Sequence, residues 1–199
     1  MYALPPAPAP APRRQVFVGT AVGSAAAAMF MGGMLAVWWR FREASGLRQG
    51  ANGMIRDWKP KAVSIPEVPT NVMLFTMLMA IVMAQLGVWG AKRGDRQNTL
   101  LGVALTGVMG VAMVNAQAMV YAEMKMGISQ HGSYSMMFYA VTGTFIVLTI
   151  IGMLFSLLTV FRVVGTKRAD HEMVSAHALY WYVLAGIFAA LWFVVYVTK

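Results

Sequence analysis

The stretch from Ser135 to Phe161, SMMFYAVTGTFIVLTIIGMLFSLLTVF, contains no residue that ionises near neutral pH. It exceeds the roughly 20 apolar residues that carry a helix across a bilayer, so it reads as a membrane span. Its polar groups are the hydroxyls of Thr142, Thr144, Thr149, Ser156 and Thr159, with Gly143 and Gly152 as small positions. That face suits packing on other helices and supplies no proton-relaying group. With 59% hydrophobic and 12% charged residues in 199, the chain has too little polar surface to cover a water-soluble globule.

Four more segments repeat the design and predict an all-α, polytopic membrane bundle of about five spans. The first runs from Gln15 to Trp39 and carries small residues at Gly19, Gly23 and Ala27, about one helical turn apart, a stripe expected to be buried against a neighbouring helix. Trp38 and Trp39, followed by Arg40 and Arg42, mark its exit through the aromatic belt. Residues 40–69 mix charge with glycine and proline and read as an aqueous loop. A second span, 70–89, holds Gln85 as its inner polar residue. A third, 99–121, repeats the small spacing at Gly102, Thr106 and Gly110 and adds the amides of Asn115 and Gln117, which need partners in lipid. The fifth, 176–197, has Tyr180, Trp181 and Tyr182 near its start and Trp192 and Tyr196 near its end, read as interfacial anchors. Residues 1–14 form a Pro/Ala-rich tail, expected to be extended and disordered, ahead of a transmembrane domain over 15–199.

A net charge of +9 concentrates at span ends and in loops, where topology and anionic lipid account for it better than nucleic acid. Arg40 and Lys92 are the candidates for lipid headgroup contact. Basic residues divide evenly between the two faces, so charge by itself leaves orientation open.

Reactive chemistry finds no support within the chain. Haem in a bundle needs inward-facing axial ligands. The three histidines, His131, His171 and His177, all fall in loops or at a span end and read as interfacial polar residues. Met73, Met77 and Met83 share one span, and thioether sulfur suits Cu(I), but without cysteine nearby these read as packing. No Asp, Glu, Lys, Arg or His sits near the middle of a span, as ion carriers require. A neutral path past Gln85, or past Asn115 and Gln117, keeps an unrelated small transporter open as an alternative. No hydrolase, phosphate-binding or zinc-protease pattern is present. The residues thus describe a five-helix membrane protein without a reactive centre, a subunit of something larger.

Several short motifs in order add to this: AKRGD at 91–95, HGS at 131–133 followed by FYAVTG at 138–143, and YW at 180–181 leading to LWFVVY at 191–196. With the span count and length they make the chain resemble heme-copper oxidase subunit III in its short five-span actinobacterial form, from about residue 15 onward. Departures are equally specific. Where the family carries acids, this sequence has Ala27 and Val120. Where it carries histidines it has Phe145, Leu148 and Tyr182, and Ala185 replaces an aspartate.

The resemblance implies an accessory, non-catalytic subunit of an aerobic terminal oxidase that docks on subunit I beside subunit II, stabilises it and holds phospholipid. Haem, copper, oxygen reduction and proton pumping would belong to the partner subunits, with no cofactor and no catalytic or metal residue in this chain. It further implies a bacterial plasma membrane location, with the N-terminus cytoplasmic and the C-terminus outside, and allows a place in a larger respiratory supercomplex. A subunit III-like component of a quinol oxidase or nitric-oxide reductase would look nearly the same. Gly19, Gly23, Ala27, Gly102, Thr106 and Gly110 are the expected helix contacts, and Gln85, Asn115 and Gln117 the expected buried polar links.

Overall fold

The computed structural model describes residues 14–50, 53–165 and 170–198. The Pro/Ala tail, apart from Arg14, lies outside the described residues, as do Lys167 and Arg168. Five helices are long and apolar enough to cross a membrane. These are α1 (Gln15–Ala44), α2 (Glu67–Arg93), α3 (Arg96–Met124), α4 (Gly132–Gly165) and α5 (His171–Leu191), the last continuing as a π-helical segment over Trp192–Val197. All run past their expected ends, because polar residues extend helices beyond the hydrocarbon layer where only the apolar part is legible as a span.

The segment expected to be an aqueous loop is instead ordered and partly buried. An antiparallel hairpin, β1 (Leu47–Gly50) with β2 (Gly53–Arg56), follows α1. Arg48 pairs with Asp57 at 2.6 Å, and Arg56 with Glu43 of α1. Beyond the hairpin, Trp58, Val63 and Ile65 fold back against the bundle end and are buried. Trp58 meets Trp38 edge-on at 5.2 Å and Tyr134 at 5.4 Å, an aromatic plug that joins α1, the connection and α4. Glycine and proline flagged a break in the helix but hid this packing, because a few buried side chains in a polar stretch leave no periodic signal.

The tightest pairing is α2 on α3, and small residues explain it. A Cβ at Gly102 would stand 2.3 Å from the Gly87 amide nitrogen, and one at Gly90 would stand 2.6 Å from that of Thr99. Backbone meets backbone there, the geometry that small residues permit in lipid. Gly94, left-handed at φ +72°, closes α2, and Asp95 caps α3 by accepting from the Asn98 amide at 3.1 Å. AKRGD is thus a compact turn that forces α2 and α3 antiparallel.

Helix α5 occupies the centre, packing on α1, α2 and α4. Of its most apolar window 44% is buried, against 17% for α1, which lies at the margin. At the N-terminal face, the Glu172 carboxylate accepts from the Val16 and Phe17 amides at 2.8 and 3.2 Å and so ties the start of α1 to α5. Arg96 donates to the Val163 and Val164 carbonyls at the end of α4, at 3.2 and 2.5 Å. Both contacts match side-chain charge to the partial charge of a helix terminus.

Candidate functional site

The polar groups that lipid would penalise converge on α5. Tyr182 donates its hydroxyl to Gln85 Oε1 of α2, and Tyr196 donates to Gln117 Oε1 of α3 at 2.9 Å. Tyr180 donates to the Leu148 carbonyl of α4 at 2.7 Å. Ser156 Oγ of α4 lies 2.7 Å from His177 Nε2, accepts from Trp181 Nε1 at 3.2 Å and donates to the Gly152 carbonyl at 3.0 Å. The Ser156 proton serves either Gly152, in which case the imidazole donates through Nε2, or His177 Nε2 itself. Nδ1 is buried without a partner among the described residues, and so is Gln117 Nε2.

Several expectations change here. His177 is fully buried rather than interfacial, because α5 begins at His171 and is already enclosed by its second turn. Trp181 and Tyr196 are likewise core residues and not membrane anchors. The sequence holds a signal for this: Gln85 and Gln117 need donors, and among the spans the tyrosine-rich helix supplies them.

The expected helix contacts divide. Thr106 is buried and bonds back to the Gly102 carbonyl at 2.7 Å. Gly110 faces Trp181, since a Cβ there would lie 2.8 Å from Cη2 and 2.6 Å from Met153 Cγ. Gly152 receives the same indole from the other side, 3.3 Å from Cζ2. In contrast, Gly19 and Gly23 are exposed, with nothing within 4 Å of a built Cβ, and Ala27 is half-buried. Among the described residues no helix covers Gly19 or Gly23, whereas Ala27 borders the groove between α1 and α4. The buried positions of α1 are Ser24, Met31, Leu35 and Trp38, a different face. Asn115 is also exposed, midway between the buried Met113 and Gln117 and so on the opposite side of α3, and is not a buried polar link. Arg40 and Lys92 both lie exposed at helix ends, on opposite faces.

Of the positions that depart from the family pattern, Tyr182 bonds Gln85, while Val120 and Phe145 lie in apolar surroundings. Val120 and Phe145 are buried, with Phe145 against Phe188 at 5.0 Å, and Met73 and Met77 fill the core beside them. Among the described residues no three His, Asp or Glu side chains gather to hold a metal ion.

Residues 25–199, which take in most of α1 and the helices after it, match the family model for cytochrome c oxidase subunit III. The chain belongs to that family. Among curated proteins, the chain is similar to cytochrome c oxidase subunit 3 of Corynebacterium diphtheriae, 26% identical over 90% of this chain and 88% of the relative. It also resembles cytochrome c oxidase subunit 3 of Prototheca wickerhamii, 27% identical over 70% of this chain, and the match spans 54% of that relative's length. The fold and the family match together describe a multi-pass helical subunit III.

Proposed function

We propose that this subunit III is an accessory, non-catalytic component of an aerobic respiratory heme-copper oxidase, docked on subunit I beside subunit II in a bacterial plasma membrane. The family match through all five spans carries the reading. The internal geometry supports it: Gln85 and Gln117 each accept from a tyrosine of α5 or its π-helical continuation, and among the described residues no Asp, Glu, Lys or Arg is buried. Haem and copper belong in this reading to the partner subunits, where electrons reach oxygen and protons are pumped.

The uncovered stripe Gly19, Gly23 and Ala27 on α1 is the candidate contact to a helix of a partner subunit, because open glycines let a neighbouring backbone approach. A groove of about 400 Å³ between α3 and α4, lined mainly by apolar residues, would accept an acyl chain. Arg40 and Lys92 would meet the headgroups. The N-terminus is placed in the cytoplasm and the C-terminus outside, and the complex has room to join a larger respiratory assembly.

Gentle detergent extraction of a tagged chain tests this. It should retain a haem-containing partner with an oxidase absorption spectrum and oxygen uptake. A chain that is stable, haem-free and alone from native membranes would overturn the proposal and favour a transporter.

A further inference from the structure

The hairpin after α1 has an outward surface that the oxidase reading does not use. Trp39, Phe41, Leu47 and Met54 are 42%, 43%, 57% and 64% exposed, and all lie within sixteen positions of one another in or beside the hairpin. Pairing of Leu47 with Arg56 and of Gln49 with Met54 puts Leu47 and Met54 on one face of the ribbon. Ile55 points to the other face, across Gly50, where a Cβ would lie 3.1 Å from its Cδ1. That first face, which also carries Gln49 and Arg56, is amphipathic, and since two strands alone are marginal in water its exposed Leu47 and Met54 call for a covering surface.

Charge identifies the covering surface. Residues 40–61 include the basic Arg40, Arg42, Arg48, Arg56, Lys59 and Lys61 and only two acids, Glu43 and Asp57. Both acids are engaged by arginines, Glu43 by Arg56 and Asp57 by Arg48, so the region keeps an excess of positive charge, with Arg40 and Lys61 exposed. Position agrees. Ala44 lies about 7 Å along the helix from Trp39 at the usual rise per residue, comparable with a headgroup layer of about 5–8 Å. An exposed apolar face flanked by cations at that height has the chemistry of an interfacial element.

We infer that the β1–β2 hairpin rests on the bilayer it emerges from, with Leu47 and Met54 set among the headgroups and Arg40 and Lys61 held by anionic phosphates. The hairpin thereby anchors the end of α1 opposite the N-terminus on anionic lipid. This inference needs only the membrane-spanning fold and stands apart from oxidase docking.

Because the chain contains no cysteine, Met54→Cys gives a single attachment point for a nitroxide in the full-length protein. Leu47→Cys is a second, and Ser129→Cys in the α3–α4 connection is a same-face control. In nanodiscs with a third phosphatidylglycerol, the labels at 54 and 47 should collide with oxygen more than with a water-soluble nickel chelate, while the label at 129 stays water-accessible. In pure phosphatidylcholine the preference should fall. Arg40→Gln and Lys61→Gln should each lower the immersed-to-free ratio about fivefold in the anionic discs. Water-accessible labels at both positions in both lipids would overturn the inference. So would protection that appears only when partner subunits are present, which would assign the face to an acidic protein surface.

Discussion

Ser156 of α4 and His177 of α5 stand 2.7 Å apart in the interior, and Trp181 completes the link from one turn further along α5. One hydroxyl therefore answers two ring nitrogens. Ser156→Ala would leave both ring nitrogens buried and unpartnered, a loss of about 1–3 kcal/mol. His177→Leu in the same background removes one orphan, so the double variant should be less destabilised than the sum of the singles. Thermal unfolding of the four proteins in one detergent reads this, and strict additivity would show that the pair is not coupled.

Gly102 and Gly23 both belong to small-residue stripes, and they should respond oppositely. Gly102→Ala drives a methyl into the Gly87 backbone and must part α2 from α3, at a cost of about 1–3 kcal/mol. Gly23→Ala meets nothing within the chain and should leave stability unchanged or raise it by up to about 1 kcal/mol through helix propensity. Bulkier Gly23→Leu should spare the isolated subunit yet reduce the amount of haem protein retained with it. Equal unfolding midpoints for Gly102→Ala and Gly23→Ala would contradict the packing described.

Tyr196→Phe removes the donor to Gln117 and strands a buried carbonyl, with an expected loss of about 1–3 kcal/mol. Asn115→Leu, two residues before Gln117 on an exposed face, should fall within about 0.5 kcal/mol of the parent. Chemical denaturation of both in mixed micelles separates them.

Asp95 provides the pH test. Donation from the Asn98 backbone amide, aided by the Asn98 side chain, holds its carboxyl below the ordinary carboxylate value in the folded protein. A depressed folded value means that the stabilisation is present above the unfolded pKa, about 3.9, and is lost as pH falls through the folded one. The difference in melting temperature between the parent and Asp95→Ala should accordingly be constant from neutral pH down to about 5 and shrink below about 4. A difference that grows on acidification would reverse the sign of this linkage.

Much of this architecture is legible in the sequence because each physical demand leaves a mark of its own. The number of helices follows from apolar runs, since an unpaired backbone in lipid leaves the chain no alternative. Gly102, Thr106 and Gly110 stand out as a contact face by spacing. The two stripes nevertheless look identical on paper, although Gly102 is shut against Gly87 and Gly23 is open.

Composition and spacing alone determined that this is a membrane bundle with a small-residue seam, amides that require donors, and no array of ionisable groups at depth. Tertiary structure alone decided which stripe is filled, that Trp181 is wedged between Gly110 and Gly152, that His177 is enclosed, and that the polar connection folds into a hairpin and an aromatic plug. The reason lies in how a helix meets its solvent. Lipid and protein interior are equally apolar, so hydropathy tells a chain to be helical without telling it which side faces a neighbour. That choice is made by shape and by the pairing of a few hydrogen-bonding groups, which exist only once the helices have met.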